Sequence, residues 1–85
     1  MAILNITYNG LSVDYPLDID FGVSDADVRR IAVELVRSGD IRGLSIANLA
    51  NSAFNYYVVD RFVSPQGQQR IYLRPKVPFG AGGRS

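Results

Sequence analysis

Apolar and polar residues alternate over short stretches at both ends of the chain and recur at helical spacing in between. At the start, Ile3, Leu4, Asn5, Ile6, Thr7 and Tyr8 are β-branched and aromatic with loose alternation, which predicts a strand. Asn9-Gly10 follows directly, and both residues tolerate the positive φ angles of a type I′ turn, so the pair predicts a two-residue hairpin. The return strand is expected from Leu11 to Tyr15, with Leu11, Val13 and Tyr15 on one face and Ser12 and Asp14 on the other. Pro16 has no amide hydrogen, so it either ends the pairing or marks this strand as an edge.

The pattern then becomes helical. Ser24 is a good N-cap, Asp27 three residues on approximates a capping box, and Asp25 and Asp27 suit the positive end of a helix dipole. Val28, Ile31, Ala32, Leu35 and Val36 form one apolar stripe, with Arg29, Arg30, Glu34 and Arg37 off it, and Gly39 is a natural terminator. The spacing predicts a helix over 24–38. Ile46, Leu49, Ala50 and Ala53 also stand at helical spacing behind Ser45, so a short second helix over 45–53 is expected, although its Ser and Asn content weakens it. Strand character returns in Tyr56 to Val63 and again in Gln69 to Arg74. Ser64-Pro65-Gln66-Gly67 forms the turn between them, and Ile71 and Leu73 share one face, with Arg70, Tyr72 and Arg74 at the other or the rim. A core of Val28, Ile31, Leu35 and Val36 against Ile6, Val13, Val58 and Ile71 follows from this arrangement.

Composition narrows the possible functions. Eighty-five residues make one small α+β domain, and a chain of this size buries roughly 60–65% of the surface its unfolded form exposes, so its core is thin. Cysteine and histidine are both absent. There is therefore no disulfide framework, no thiolate, and neither the commonest metal ligand nor the usual proton-transfer residue. Missing disulfides favour a reducing compartment, and no bilayer-length apolar run or signal-peptide pattern is present, so a cytoplasmic protein is expected. A net charge of +1, with Lys76 the only lysine, creates no field that would attract nucleic acid or an anionic membrane.

The order of elements (hairpin, crossing helix, further strands) resembles the β-grasp fold shared by ubiquitin and the bacterial sulfur carriers. Ile3–Tyr15 matches its first hairpin, Ser24–Ser38 its helix and Gln69–Arg74 its last central strand, while Ile41–Phe54 departs from ubiquitin. The chain is most similar to the divergent bacterial ubiquitin-like proteins, which occur with activating, conjugating and deubiquitinase-like partners. This resemblance implies a β-grasp-like mixed sheet over 1–74 and a mobile Pro/Gly-rich tail over 75–85. Pro75, Pro78, Gly80, Gly82 and Gly83 suit an arm, and nine extended residues reach about 30 Å, enough to thread into an enzyme's active site. Gly82-Gly83 has no Cβ to obstruct a narrow channel. Family membership would make Gly83 the acyl donor for protein conjugation, with Arg74 and Lys76 meeting acidic residues on the activating enzyme. A peptidase would first have to remove Arg84 and Ser85, and Phe79 with two prolines makes this tail bulkier than that of ubiquitin.

Other groupings point less far. Asp14, Asp18 and Asp20 lie near one another before the helix but lack the Gly and distal Glu of a calcium loop, so neither a metal nor a cofactor is expected. Asp60 and Arg61 read as an outward-facing charge pair of little energetic weight. No two carboxylates are fixed beside a pocket, so an enzyme is not expected. Tyr56, Tyr57, Phe62 and Tyr72 could stack nucleobases, but alternating members of the hairpin are expected to face the core and the rest an exposed sheet face, where a tyrosine and aliphatic patch, Tyr72 included, is also what a protein partner reads. A winged helix is the alternative order, with Ser45–Asn55 as recognition helix and Ser64–Gln68 as wing tip. That helix would carry no Arg or Lys, although phosphate contacts normally dominate affinity, so nucleic acid is not the expected partner. A non-covalent β-grasp adaptor or structural subunit, using the sheet without tail chemistry, stays open beside the modifier.

Overall fold

The computed structural model describes residues 1–76. Strand β1 (Ala2–Tyr8) turns through Asn9 and Gly10, whose φ angles of 51° and 80° are those a type I′ turn needs, into β2 (Leu11–Leu17). Helix α1 (Asp25–Ser38) follows, then β3 (Tyr57–Val63) and β4 (Gln69–Pro75). The four strands form one mixed sheet in the order β2-β1-β4-β3. Both hairpins are antiparallel, and β1 and β4 run parallel at the centre, with Leu4 opposite Ile71 and Ile6 opposite Leu73. One helix and a four-stranded mixed sheet of this order are compatible with a β-grasp-like fold.

Pro16 stays inside β2, opposite Ile3, and is tolerated because β2 is an edge strand. The Ser24 hydroxyl accepts from the Asp27 amide at 3.1 Å, so Ser24→Ala is expected to cost about 1 kcal/mol in urea denaturation. At the other end Gly39 adopts φ 83°, and a Cβ there would come within 3.3 Å of Ser45 Oγ. Ser64 and Gly67 close the second hairpin with a 2.8 Å bond from the Gly67 amide to the Ser64 carbonyl.

One face of the sheet carries the core. Leu4, Ile6, Ile71 and Leu73 meet Val28, Ala32, Val33 and Val36 of α1, and Ile41, Leu44, Leu49 and Phe54 join the same cluster. The buried stripe thus includes Val33, while Ile31 and Leu35 are only half-buried. The reason is the segment between α1 and β3, which runs along the Arg29–Val33–Arg37 flank of the helix. Arg29 donates Nε and Nη2 to the Tyr57 carbonyl, at 3.2 and 3.0 Å, and Arg37 donates Nε and Nη2 to the Leu49 carbonyl, at 3.0 and 2.6 Å.

Three expectations are corrected here. The short helix over 45–53 is absent, and the chain forms separate i to i+3 turns instead. They are closed by the Leu49 amide on Ile46, Ala53 on Ala50, Asn55 on Ser52 and Tyr57 on Phe54. Asn and Ser side chains compete for the local backbone, and Ala50, which a helical stripe would bury, is exposed. Without a helix at Ser45–Asn55 the winged-helix arrangement is lost as well. Second, Val59 and not Val58 faces the core, because β3 begins at Tyr57 and Val59 lies opposite the buried Leu73. Third, Asp60 and Arg61 are not a pair. Successive strand residues point to opposite faces, so Arg61 reaches under the helix to Asp25 Oδ1 at 2.7 Å and to the Val23 carbonyl, while Asp60 accepts from Arg74 on the open face.

Candidate functional site

The open face of the sheet is the candidate site. It is built by the alternate positions of all four strands, which register as rows: Pro16, Ile3, Arg70 and Phe62 in one, and Asp14, Asn5, Tyr72 and Asp60 in the next. No helix covers it, because the one helix of the described residues packs on the other side.

The face has two characters. Over β1 and β2 it is polar and hydrogen-bonded: the Asn5 amide donates to Asp14 Oδ1 at 2.8 Å, and the Ser12 hydroxyl donates to Asn5 Oδ1 at 3.1 Å. Over β3 and β4 it is aromatic. The Phe62 and Tyr72 rings stack with centroids 5.3 Å apart and planes 13° from parallel, and Phe62 is 47% exposed. Arg70 joins the two halves: its Nε donates to the Tyr72 hydroxyl at 3.0 Å, and its Nη2 lies 3.2 Å from both oxygens of Asp14. Its guanidinium carbon also lies 5.5 Å from the Tyr72 ring centroid, within cation–π range. Arg74 donates to Asp60 beside this stack, and Asp60, Phe62, Tyr72 and Arg74 border a shallow depression of about 320 Å³.

The Asn5 amide holds the Asp14 carboxyl below its ordinary pKa, with Arg70 adding to the effect and partial burial opposing it. A carboxyl depressed in the folded state contributes stability above its unfolded pKa, about 3.9. That contribution is lost as pH falls through the lower folded value. Asp14 is half-exposed, so the energy is small. Asn5→Ala is expected to return the Asp14 titration toward the ordinary carboxylate range in a carbon-13 NMR titration. An unmoved Asp14 midpoint would show that Arg70, and not Asn5, sets it.

Of the residues expected to meet partners, Tyr72 and Arg74 come together on this face. Lys76 does not join them: it lies just beyond β4 and borders a different cleft with Asp25, Arg29, Asn55 and Tyr56. Gly82 and Gly83 lie outside the described residues. Of Asp14, Asp18 and Asp20, Asp14 stands on the open face and Asp20 accepts a local bond from the Gly22 amide at 3.1 Å. Among the described residues no group of three or more His, Cys, Asp or Glu side chains is placed to hold a metal ion. None of their helices is long and apolar enough to cross a membrane.

Tyr56, Tyr57, Phe62 and Tyr72 divide between core and surface, as alternation along a hairpin predicts. Tyr57 turns to the core against Phe54, where burial and then the neighbouring Tyr8 push its phenol pKa up, while Tyr56 is exposed ahead of β3. Arg70 stands beside Tyr72 and Arg74, as the alternation along β4 predicts, and Asp60 joins them because β3 registers it opposite Tyr72. The chain matches no protein-family model, no curated protein and no solved structure.

Proposed function

We propose that this chain acts by being bound by other proteins, most concretely as a ubiquitin-like modifier conjugated through Gly83 after Arg84 and Ser85 are trimmed. The observation that supports this most is the placement of β4. This strand is central, parallel to β1, and ends at Pro75, seven residues before Gly82 in the sequence. A fold of this kind serves many purposes, so the glycine pair makes the reading specific and the sheet supplies the recognition surface.

In this reading the protein is a substrate of enzymes and needs no active site of its own. An activating enzyme would let the Gly83 carboxylate attack the α-phosphorus of ATP, forming an acyl-AMP mixed anhydride and releasing pyrophosphate. An enzyme thiolate would then displace AMP to give a thioester, and an acceptor amine would displace the thiolate to give an amide. The exposed Phe62–Tyr72 stack, bordered by Arg74, gives those enzymes an aromatic centre with a polar rim, the composition that protein interfaces favour. Arg74 would exchange Asp60 for a partner's carboxylate at little cost, since the pair is roughly half-exposed. Lys76 would add a second cationic contact beside the exit of β4. The enzymes belong to the reducing cytoplasm, as the absence of cysteine suggests.

Deleting Gly82 and Gly83 is expected to leave the thermal melt unchanged and to abolish every covalently attached species on a denaturing gel. Attachment that survives the deletion rules out the carboxylate-donor role. The second reading is a non-covalent adaptor that uses the same face. The stack that favours it lies wholly within the sheet and does not require the tail. It would show as partner capture lost on Phe62→Ser with no attached species in either protein.

A further inference from the structure

On the far side of the molecule, α1 and the 49–57 segment enclose a second cleft, of about 480 Å³. Three guanidiniums, Arg29, Arg30 and Arg37, line it against a single carboxylate, Glu34, and the side-chain amides of Asn51 and Asn55 complete its wall. We propose that this cleft binds an extended acidic segment of a protein partner. The inference rests on the reading that the chain is bound by proteins, and it supplies a second, chemically distinct contact for one of them.

The arginines are held in place before any ligand arrives. Arg29 is fixed by the Tyr57 carbonyl, and Arg37 by the Leu49 carbonyl and by Asn51 Oδ1 at 2.6 Å. Those bonds use Nε and Nη2, and among the described residues Nη1 of each guanidinium has no hydrogen-bond partner. A positioned guanidinium loses little further entropy when it meets a carboxylate. Among the described residues Arg30 makes only surface pairs, at 3.4 Å to Asp27 and 3.6 Å to Glu34, so its charge can be redirected.

Spacing selects the ligand. Arg29 and Arg37 stand eight residues apart on one helix, about 12 Å along its axis. One small oxyanion cannot reach both. An extended peptide advances about 3.3 Å per residue with alternate side chains on one side, so acids at positions i and i+4 span the same distance. A net charge of +1 supplies no extended field for a polyphosphate backbone, whereas a short acidic segment needs only the local cations. The neighbouring cleft shares Arg29 and Asn55 and adds Lys76 together with Asp25, whose carboxylate is paired with Arg61 at 2.7 Å.

The test is a nitrogen-15 NMR titration of the full chain with a hexaglutamate peptide, with hexaglutamine, inorganic phosphate and oligothymidylate as separate arms. Amide shifts are expected at Arg29, Val33, Arg37, Asn51 and Asn55 with hexaglutamate, fading as salt is raised, and none with hexaglutamine. Arg30→Glu, which touches no core residue, is expected to weaken the binding about tenfold, and Glu34→Gln to strengthen it. The inference is overturned if millimolar hexaglutamate leaves these amides unmoved or if Arg30→Glu binds as well as the parent protein. Tighter binding of phosphate or oligothymidylate at the same amides also overturns it, in favour of a small-anion or nucleic-acid site. Because the peptide assay does not involve Gly83, a failure here leaves conjugation standing, and a failure of conjugation leaves the cleft standing.

Discussion

Phe54→Ala is expected to destabilise the fold by about 3–5 kcal/mol, the range for emptying a fully buried aromatic site. Phe54 has no exposed surface and meets Tyr8 and Tyr57 edge-on, with ring centroids 5.9 and 4.8 Å away. It plugs the core from a segment that has no ladder of its own, so its removal exposes the end of β1 and the start of β3 together. A domain of this length holds roughly 4–13 kcal/mol of total stability, so the variant should be close to unfolding at room temperature. Urea denaturation followed by circular dichroism checks this. A loss below about 1 kcal/mol would place Phe54 outside the cooperative core.

Arg37→Ala is expected to cost about 2–3 kcal/mol, the range for hydrogen bonds that involve a charged group and leave a carbonyl unpaired. Arg37 donates twice to the Leu49 carbonyl and once to Asn51, and the Ile46 amide reaches back to the Val36 carbonyl beside it. These contacts moor a run of turns to the end of α1. Arg37→Lys should recover only part of the loss, because an ammonium cannot present the Nε–Nη2 fork to one carbonyl. Hydrogen exchange separates this role from a general loss of stability. Protection should fall at Ile46, Leu49 and Ala53 and persist in β1 and β4. Unchanged protection of those three amides would contradict the mooring role.

The elements that were legible in the sequence are those determined by local chemistry. Asn9-Gly10 sets its hairpin through two positive φ angles, and Ser24 and Gly39 bound α1 through a cap and a left-handed terminus. Ile71 and Leu73 alternate cleanly and fall in the core. The 41–56 segment was not legible, because its order comes from elsewhere. Ile41, Leu44, Leu49 and Phe54 are buried at intervals that fit no regular period, and the carbonyls of Leu49 and Tyr57 are satisfied by arginines of α1. Arg29 and Arg37 looked like solvent-facing charges because nothing local shows that a helix flank will be covered.

The candidate face was half legible. Tyr72 and Arg74 stand on it as expected, but the neighbours that define it come from register, which links Asp14 of β2 to Arg70 of β4 across β1. The assignment of Val58 to the core failed by one residue, and in a strand that is enough to move a side chain to the other face. The Gly82-Gly83 pair stands on sequence alone, so the most direct test of its role is chemical.

That test is the intact mass of the protein co-expressed with the products of its neighbouring genes. The account predicts loss of Arg84 and Ser85, or an adduct that ends at Gly83. A full-length, unmodified mass with every neighbour present would contradict conjugation and leave a non-covalent adaptor.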